Sequence, residues 1–126
     1  MKSVIAAAVL MAAVICGSAV YTSSLITVSE ELSEMNRGVQ DDLRNGKQES
    51  ANDGIKQMQE YLEAKDGILS IVGDHNELDK IKINMAEMQE YAKGGTEADA
   101  LAKSEVLEFL FEHMPENYRL MFKNVL

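Results

Sequence analysis

Four side chains able to bind a metal or carry a proton crowd into six positions: Asp74, His75, Glu77 and Asp79. His75 and Asp79 stand four residues apart, which on a helix puts them one turn apart on one face. Imidazole is a common metal ligand and titrates near neutral pH, so the group could form a divalent-metal or proton-responsive site. The same residues also have a structural use. Asp74 follows Gly73 and precedes Glu77 by three, the spacing of a box that satisfies the free N–H groups at a helix start. The structural use is preferred, with His75 bonded to Asp79 or to a neighbouring helix. No metal is assigned, and His75 and Asp79 are the candidates should one bind. A carboxylate-bridged metal centre in a bundle takes Glu-x-x-His from each of two helices. Val72 stands where that Glu would precede His75, and Leu110 where it would precede His113.

Other chemistry finds fewer residues still. The chain has no Gly-x-Ser-x-Gly turn and no phosphate-cradling glycine loop. Its one cysteine, Cys16, lies in an apolar run, which excludes an intramolecular disulfide and a cysteine zinc site. His113, beside Glu112, suits the negative end of a helix without further chemistry. The eight methionines fall mostly at apolar helix positions and read as flexible core filler rather than as copper ligands. No catalytic residue and no cofactor is assigned, and the chain is not expected to be an enzyme.

These residues hang from a stretch without charge, Val4 to Val28. A bilayer core of about 30 Å takes about 20 apolar residues in a helix. The run is read as an uncleaved signal anchor in preference to a signal peptide cut after Gly17-Ser18-Ala19, because apolar residues resume at Leu25, Ile26 and Val28. A lipoprotein cut is set aside because Ile15 precedes Cys16. Lys2 lies before the run and the next basic residue is Arg37, which predicts a cytoplasmic N-terminus and an extracytoplasmic remainder at the cell membrane. Residues 1–28 are thus the transmembrane helix and 29–126 one acidic domain.

That domain reads as helical throughout. Leu25, Val28, Leu32, Met35 and Val39 alternate steps of three and four, so the anchor is expected to run on as a helix until Asn45-Gly46. Glu31, Glu34, Arg37 and Gln40 are placed on its other faces. A second helix is expected over about Gln48 to Val72, with Ala51, Ile55, Met58, Leu62, Leu69 and Val72 inward. Leu78, Ile81, Met85, Met88 and Ala92 mark a third, ending at Gly94-Gly95. Thr96 can cap a fourth, whose apolar face is taken as Ala98, Leu101, Ala102, Val106, Phe109, Leu110 and Met114, with Phe111 outside it. Pro115 should break that helix, leaving Tyr118, Met121, Phe122 and Val125 on a short last one. Short glycine turns force antiparallel neighbours, so the fold class is all-α, a transmembrane helix continuing into a small antiparallel four-helix bundle.

The stretch from Ile68, ILSIVGDHNELDKIKINMAEMQEYAKGG, an alanine-rich helix and a final Asn124-Val125-Leu126 resemble an uncharacterised family. Its members are short single-pass membrane proteins of Gram-positive spore-formers, domain-of-unknown-function family 4363. They tend to carry tryptophan in the second helix, where this chain has only Tyr61 as an aromatic. The resemblance implies a membrane location and no known activity, and it carries over no catalytic residue.

Charge narrows the partners. The whole chain carries a net −9, and residues 29–126 hold every acidic residue and every basic one but Lys2. Such a surface repels phosphate backbones, so no nucleic acid is expected, and it repels anionic lipid headgroups. A protein-interaction or scaffolding role at the envelope, with an envelope protein as partner, is preferred. The alternative is a metal- or ligand-binding sensor acting through a partner. A homodimer is also weighed: Ala8, Ala12 and Cys16, with Ala13 and Gly17, would let two anchors approach closely. The competing view, that the alanines are filler and the Leu25–Val39 seam faces its own bundle, is favoured over it.

Overall fold

Leu25, Val28, Leu32 and Val39 are all buried, and Met35 packs half-buried beside them, so the seam on the first helix is a core seam of the chain itself. A computed structural model describes the backbone of residues 1–72 and 75–125 and the side chains of 1–17, 25–67, 69 and 76–114. The elements are α1 (Lys2–Arg44), α2 (Gln48–Val72), α3 (His75–Lys93) and α4 (Glu97–Val125). Among the described residues there is no strand. Helix α1 packs on α2 and α4, and α3 on the same two, which makes a four-membered ring with little contact across its diagonals.

Cross-helix contacts run in opposite senses along α1 and α2 and along α2 and α3, as an up-down bundle requires. Asp42 meets Ser50 while Val39 meets Gly54 across α1 and α2. Asp66 meets Lys82 while Gln59 meets Gln89 across α2 and α3.

Two turns at one end of the bundle share a cap built on glycine. At the close of α1, Gly46 takes a φ of 72°, Lys47 N–H donates to the Asp42 carbonyl at 2.8 Å, and Gly46 N–H to that of Leu43 at 3.3 Å. At the close of α3, Gly95 takes a φ of 77° and Thr96 N–H reaches the Tyr91 carbonyl at 3.0 Å. Only a residue without Cβ enters this left-handed conformation freely, so each glycine dictates where its helix stops. The Thr96 hydroxyl donates to the same Tyr91 carbonyl, so it closes α3. Gln48 then ties the turns together, its amide donating to the Ala92 carbonyl at 2.7 Å.

Two expectations for α4 are corrected. Pro115 does not end the helix, which runs on to Val125. Proline removes one N–H bond and clashes with the preceding turn, a cost of about 3 kcal/mol. The core anchoring of Phe111 and Met114 immediately before it offsets that cost. The inward face also differs from the expected one. Ala100, Ser104, Leu107, Phe111 and Met114 are buried, Phe111 among the largest side chains with no exposure at all. Ala98, Ala102, Val106 and Phe109 are exposed instead. Serine in the middle of the true stripe makes the opposite stripe look the more apolar of the two.

Interior glycines of α1 and α2 have opposite roles. A Cβ on Gly54 would stand 2.8 Å from Val39 Cγ2, so α1 and α2 come this close only because position 54 is glycine. A Cβ on Gly38 would meet nothing within 4 Å. Gly38→Ala should therefore stabilise the bundle by about 0.5–1 kcal/mol through helix propensity. Gly54→Ala should destabilise it by roughly 1–3 kcal/mol, since Val39 has few rotamers to retreat into. Urea denaturation of both variants against the parent measures the two signs, and a stabilising Gly54→Ala would refute the close approach.

Candidate functional site

Among the described residues every buried polar side chain lies on α1 or α4. On α1, Ser29, Ser33, Asn36 and Gln40 recur at steps of four and three and all are buried, as is Ser104 opposite them. Gln40 therefore belongs to this inward stripe and not to a solvent face. The α1 helix thus has two buried stripes side by side, an apolar one toward α2 and this one toward α4.

Asn36 is at the centre and has no exposure. Its Nδ2 donates to the Ser104 carbonyl at 2.9 Å and to Glu108 Oε2 at 3.0 Å, while its Oδ1 accepts from the Ser104 hydroxyl at 2.7 Å. Both amide hydrogens and the carbonyl oxygen are thereby used, which is what makes a buried asparagine tolerable. Glu108 accepts in addition from the Ser33 hydroxyl and from Arg37 Nη2 at 3.4 Å. Its side chain is 16% exposed while that of Arg37 is 67% exposed, so the carboxylate is held at the rim of the core with a guanidinium over it. These donors and acceptors are matched to one another. Chemically it is a lock between the first helix and the last. The sequence signal for it was the 100, 104, 107, 111, 114 spacing on α4, matched by 29, 33, 36, 40 on α1.

A second titratable group lies on the α1–α2 side. Tyr61 is half-buried and packs on the core. Burial first, and then the hydrogen bond to and charge of Glu31, push its phenol up to about 12 from 10.0. Lys65 sits over the ring, 5.8 Å from its centroid. The lysine that interrupts the apolar alternation of α2 therefore lies over the face of the aromatic residue one turn before it. Elsewhere Lys103 pairs with Glu87, which raises its ammonium above the ordinary lysine range.

Of the four residues first singled out, the side chains of two are described. Asp74 and the side chain of His75 lie outside the described residues. Glu77 is half-buried on α3 and Asp79 is exposed. Among the described residues no three His, Cys, Asp or Glu side chains gather as a metal site. His113 Nδ1 lies 2.9 Å from the Phe109 carbonyl oxygen, a bond within one turn of α4. Between α2 and α3 a cleft of about 470 Å³ is lined by Gln59, Leu62, Glu63, Asp66, Lys82 and Met85. The Lys82–Asp66 ion pair, at 2.9 Å, lies in that lining.

The fold and its internal lock define a class: an acidic up-down helical bundle whose first helix projects beyond the core. The chain belongs to the family described as Domain of unknown function (DUF4363), which matches residues 19–125. No curated protein and no solved structure matches it.

Two outcomes test this geometry. Asn36→Ala leaves the Ser104 hydroxyl and Glu108 short of a partner, at about 1–3 kcal/mol for a buried group so stranded. Ser104→Ala should cost less once Asn36 is already alanine, by about 0.5 kcal/mol or more in a double-mutant cycle; strict additivity would mean the two do not share a bond. Tyr61 gives a pH signature. Because its folded value is raised from 10.0 toward about 12, the bundle should lose stability as pH rises across that window. Glu31→Gln should move one tyrosinate absorbance step downward, though not back to the ordinary value, because burial remains.

Proposed function

We propose that the chain is a membrane-anchored, extracytoplasmic helical module with a protein-interaction or scaffolding role at the cell envelope and no catalysis of its own. The observation that carries this reading is the surface of the first part of α1. Residues 1–17 are exposed throughout, and Val4, Ile5, Val9, Leu10, Met11, Val14 and Ile15 are each at least 62% exposed. A helix apolar on every face has no water-facing side and suits a lipid or fully buried setting. Among the described residues no helix holds a stretch long and apolar enough to cross a membrane. The uncharged run Val4–Val28 includes residues 18–24, whose side chains lie outside the described set. Leu25 and Val28 are buried in the bundle, so the lipid-facing part of α1 ends before them. From Val4 to that point the helix covers roughly 30 Å at 1.5 Å per residue, the thickness of a bilayer core.

Lys2 supports the orientation, a cytoplasmic N-terminus with residues 29–126 outside. Any dimer through the anchor would rest on the residues before Leu25, because the seam beyond belongs to the chain's own core. The polar groups of the α1–α4 seam satisfy one another, which favours a structural over a catalytic use.

Membrane fractionation and protease treatment of spheroplasts test the reading together. The chain should pellet with membranes, keep its N-terminal residues by intact mass, and lose residues 29–126 to protease added outside. A mature chain beginning near Val20 or Tyr21, or full protection beside a digested control, would overturn it.

A further inference from the structure

The stripe of α4 that looked like a core face points away from the core. Ala98, Ala102, Val106, Phe109 and His113 follow one another at three- and four-residue steps, directly opposite Ala100, Leu107 and Phe111. Val106 is 43% and Phe109 59% exposed. The Phe109 and His113 rings stack face on face, with centroids 4.1 Å apart and an interplanar angle of 28°, which fixes the two rings as one unit on this side of α4. The bond from His113 Nδ1 to the Phe109 carbonyl, which needs a proton on Nδ1, holds the pair in place. The stripe spans four turns, roughly 22 Å. Its flanks are acidic: Asp99 on one side, Glu105 and Glu112 on the other, all exposed.

We propose that this face of α4 docks a basic amphipathic helix of a partner protein, with apolar residues at three- and four-residue steps between Lys or Arg flanks. The proposal rests on the interaction-module reading and names the chemistry of the partner. An apolar stripe spaced for a helix takes the ridge of another helix. Charge selects among the occupants. A second copy would bring the same acidic rim and a second net charge of −9 against the first. An anionic leaflet is repelled in the same way. A helix with basic flanks meets complementary charge along both edges of the stripe, which sets register and speeds encounter. On this rim Arg44 stands 3.6 Å from Glu105 with both side chains more than half exposed, so a competing cation displaces it easily.

The test uses the full chain in discs of zwitterionic lipid. The probe is a fluorescent synthetic helical peptide as long as the stripe, with leucines at these steps flanked by lysines, and empty discs give the background. The peptide should bind the parent, and Phe109→Ser should weaken binding about tenfold or more, as loss of a central aromatic anchor does. Ile83→Ser, an exposed apolar position on α3, should leave it unchanged. Replacing the peptide's lysines by glutamates should abolish binding, and salt near 1 M, where screening shortens to about 3 Å, should weaken it. Equal affinity for the parent and Phe109→Ser overturns the proposal, as does equal binding of a scrambled peptide with the same charge. A disulfide dimer of Phe109→Cys, made with Cys16→Ser and formed in membranes, would assign the face to a second copy and also overturn it. Failure on any of these counts, with membrane fractionation and outside protease access intact, removes this face and leaves the anchored module standing.

Discussion

The bundle is closed by a fully buried asparagine. Asn36 lies where α1 meets α4, and an amide at that depth costs several kcal/mol unless each of its polar atoms is paired. Pairing demands that Ser104 present both its carbonyl and its hydroxyl at this level and that Glu108 come within 3.0 Å. Those conditions set the rotation of α4 about its axis and its height against α1. Apolar packing alone would tolerate a turn's slip, because leucine can replace leucine in a hole. A hydrogen-bonded amide cannot slip without stranding three groups. The α1–α4 lock joins the ends of the chain and closes the ring of four helices.

Much of the outer surface follows from that rotation. Once Ser104 faces Asn36, Phe111, Leu107 and Met114 fall into the core, and Val106 and Phe109 have nowhere to go but outward. The exposed aromatic stack is thus a consequence of satisfying a buried amide, and the apolar patch is not a packing defect. Its acidic surroundings come from the same helix, where Glu105 and Glu112 flank the outward stripe. A surface that is apolar at its centre and charged at its edge discriminates among partners by sign as well as by shape.

The α1 helix passes from an exposed apolar segment into the bundle without a break. It is a single element of 43 residues, exposed and apolar at its beginning and double-striped from Leu25 onward. At the far end, two glycine caps and the Gln48 amide tie the turns into one plane. Between these two regions α1 and α2 are brought close at Gly54, where a Cβ would meet Val39.

Local spacing was enough to determine the helices themselves. Three- and four-residue steps marked α1, α2 and α3 and, among the described residues, their apolar inward faces, though not the second, polar stripe of α1. Val72 lies outside the described side chains. Gly46 and Gly95 marked two ends, because left-handed backbone is a property of the residue that adopts it. The absence of charge from Val4 to Val28 was likewise visible without any fold. The face of α4 was not. Hydropathy ranks serine as a surface residue, so a stripe with Ser104 at its centre loses to one with Val106 and Phe109 until the partner of that serine is known. The partner, Asn36, is 68 residues away. The continuation of α4 through Pro115 is hidden from the sequence for a related reason: the cost of proline is local, whereas the burial of Phe111 and Met114 that offsets it is tertiary. Periodicity reports how a segment would like to be buried, and only the tertiary structure decides which polar groups find each other and so which of two faces turns inward.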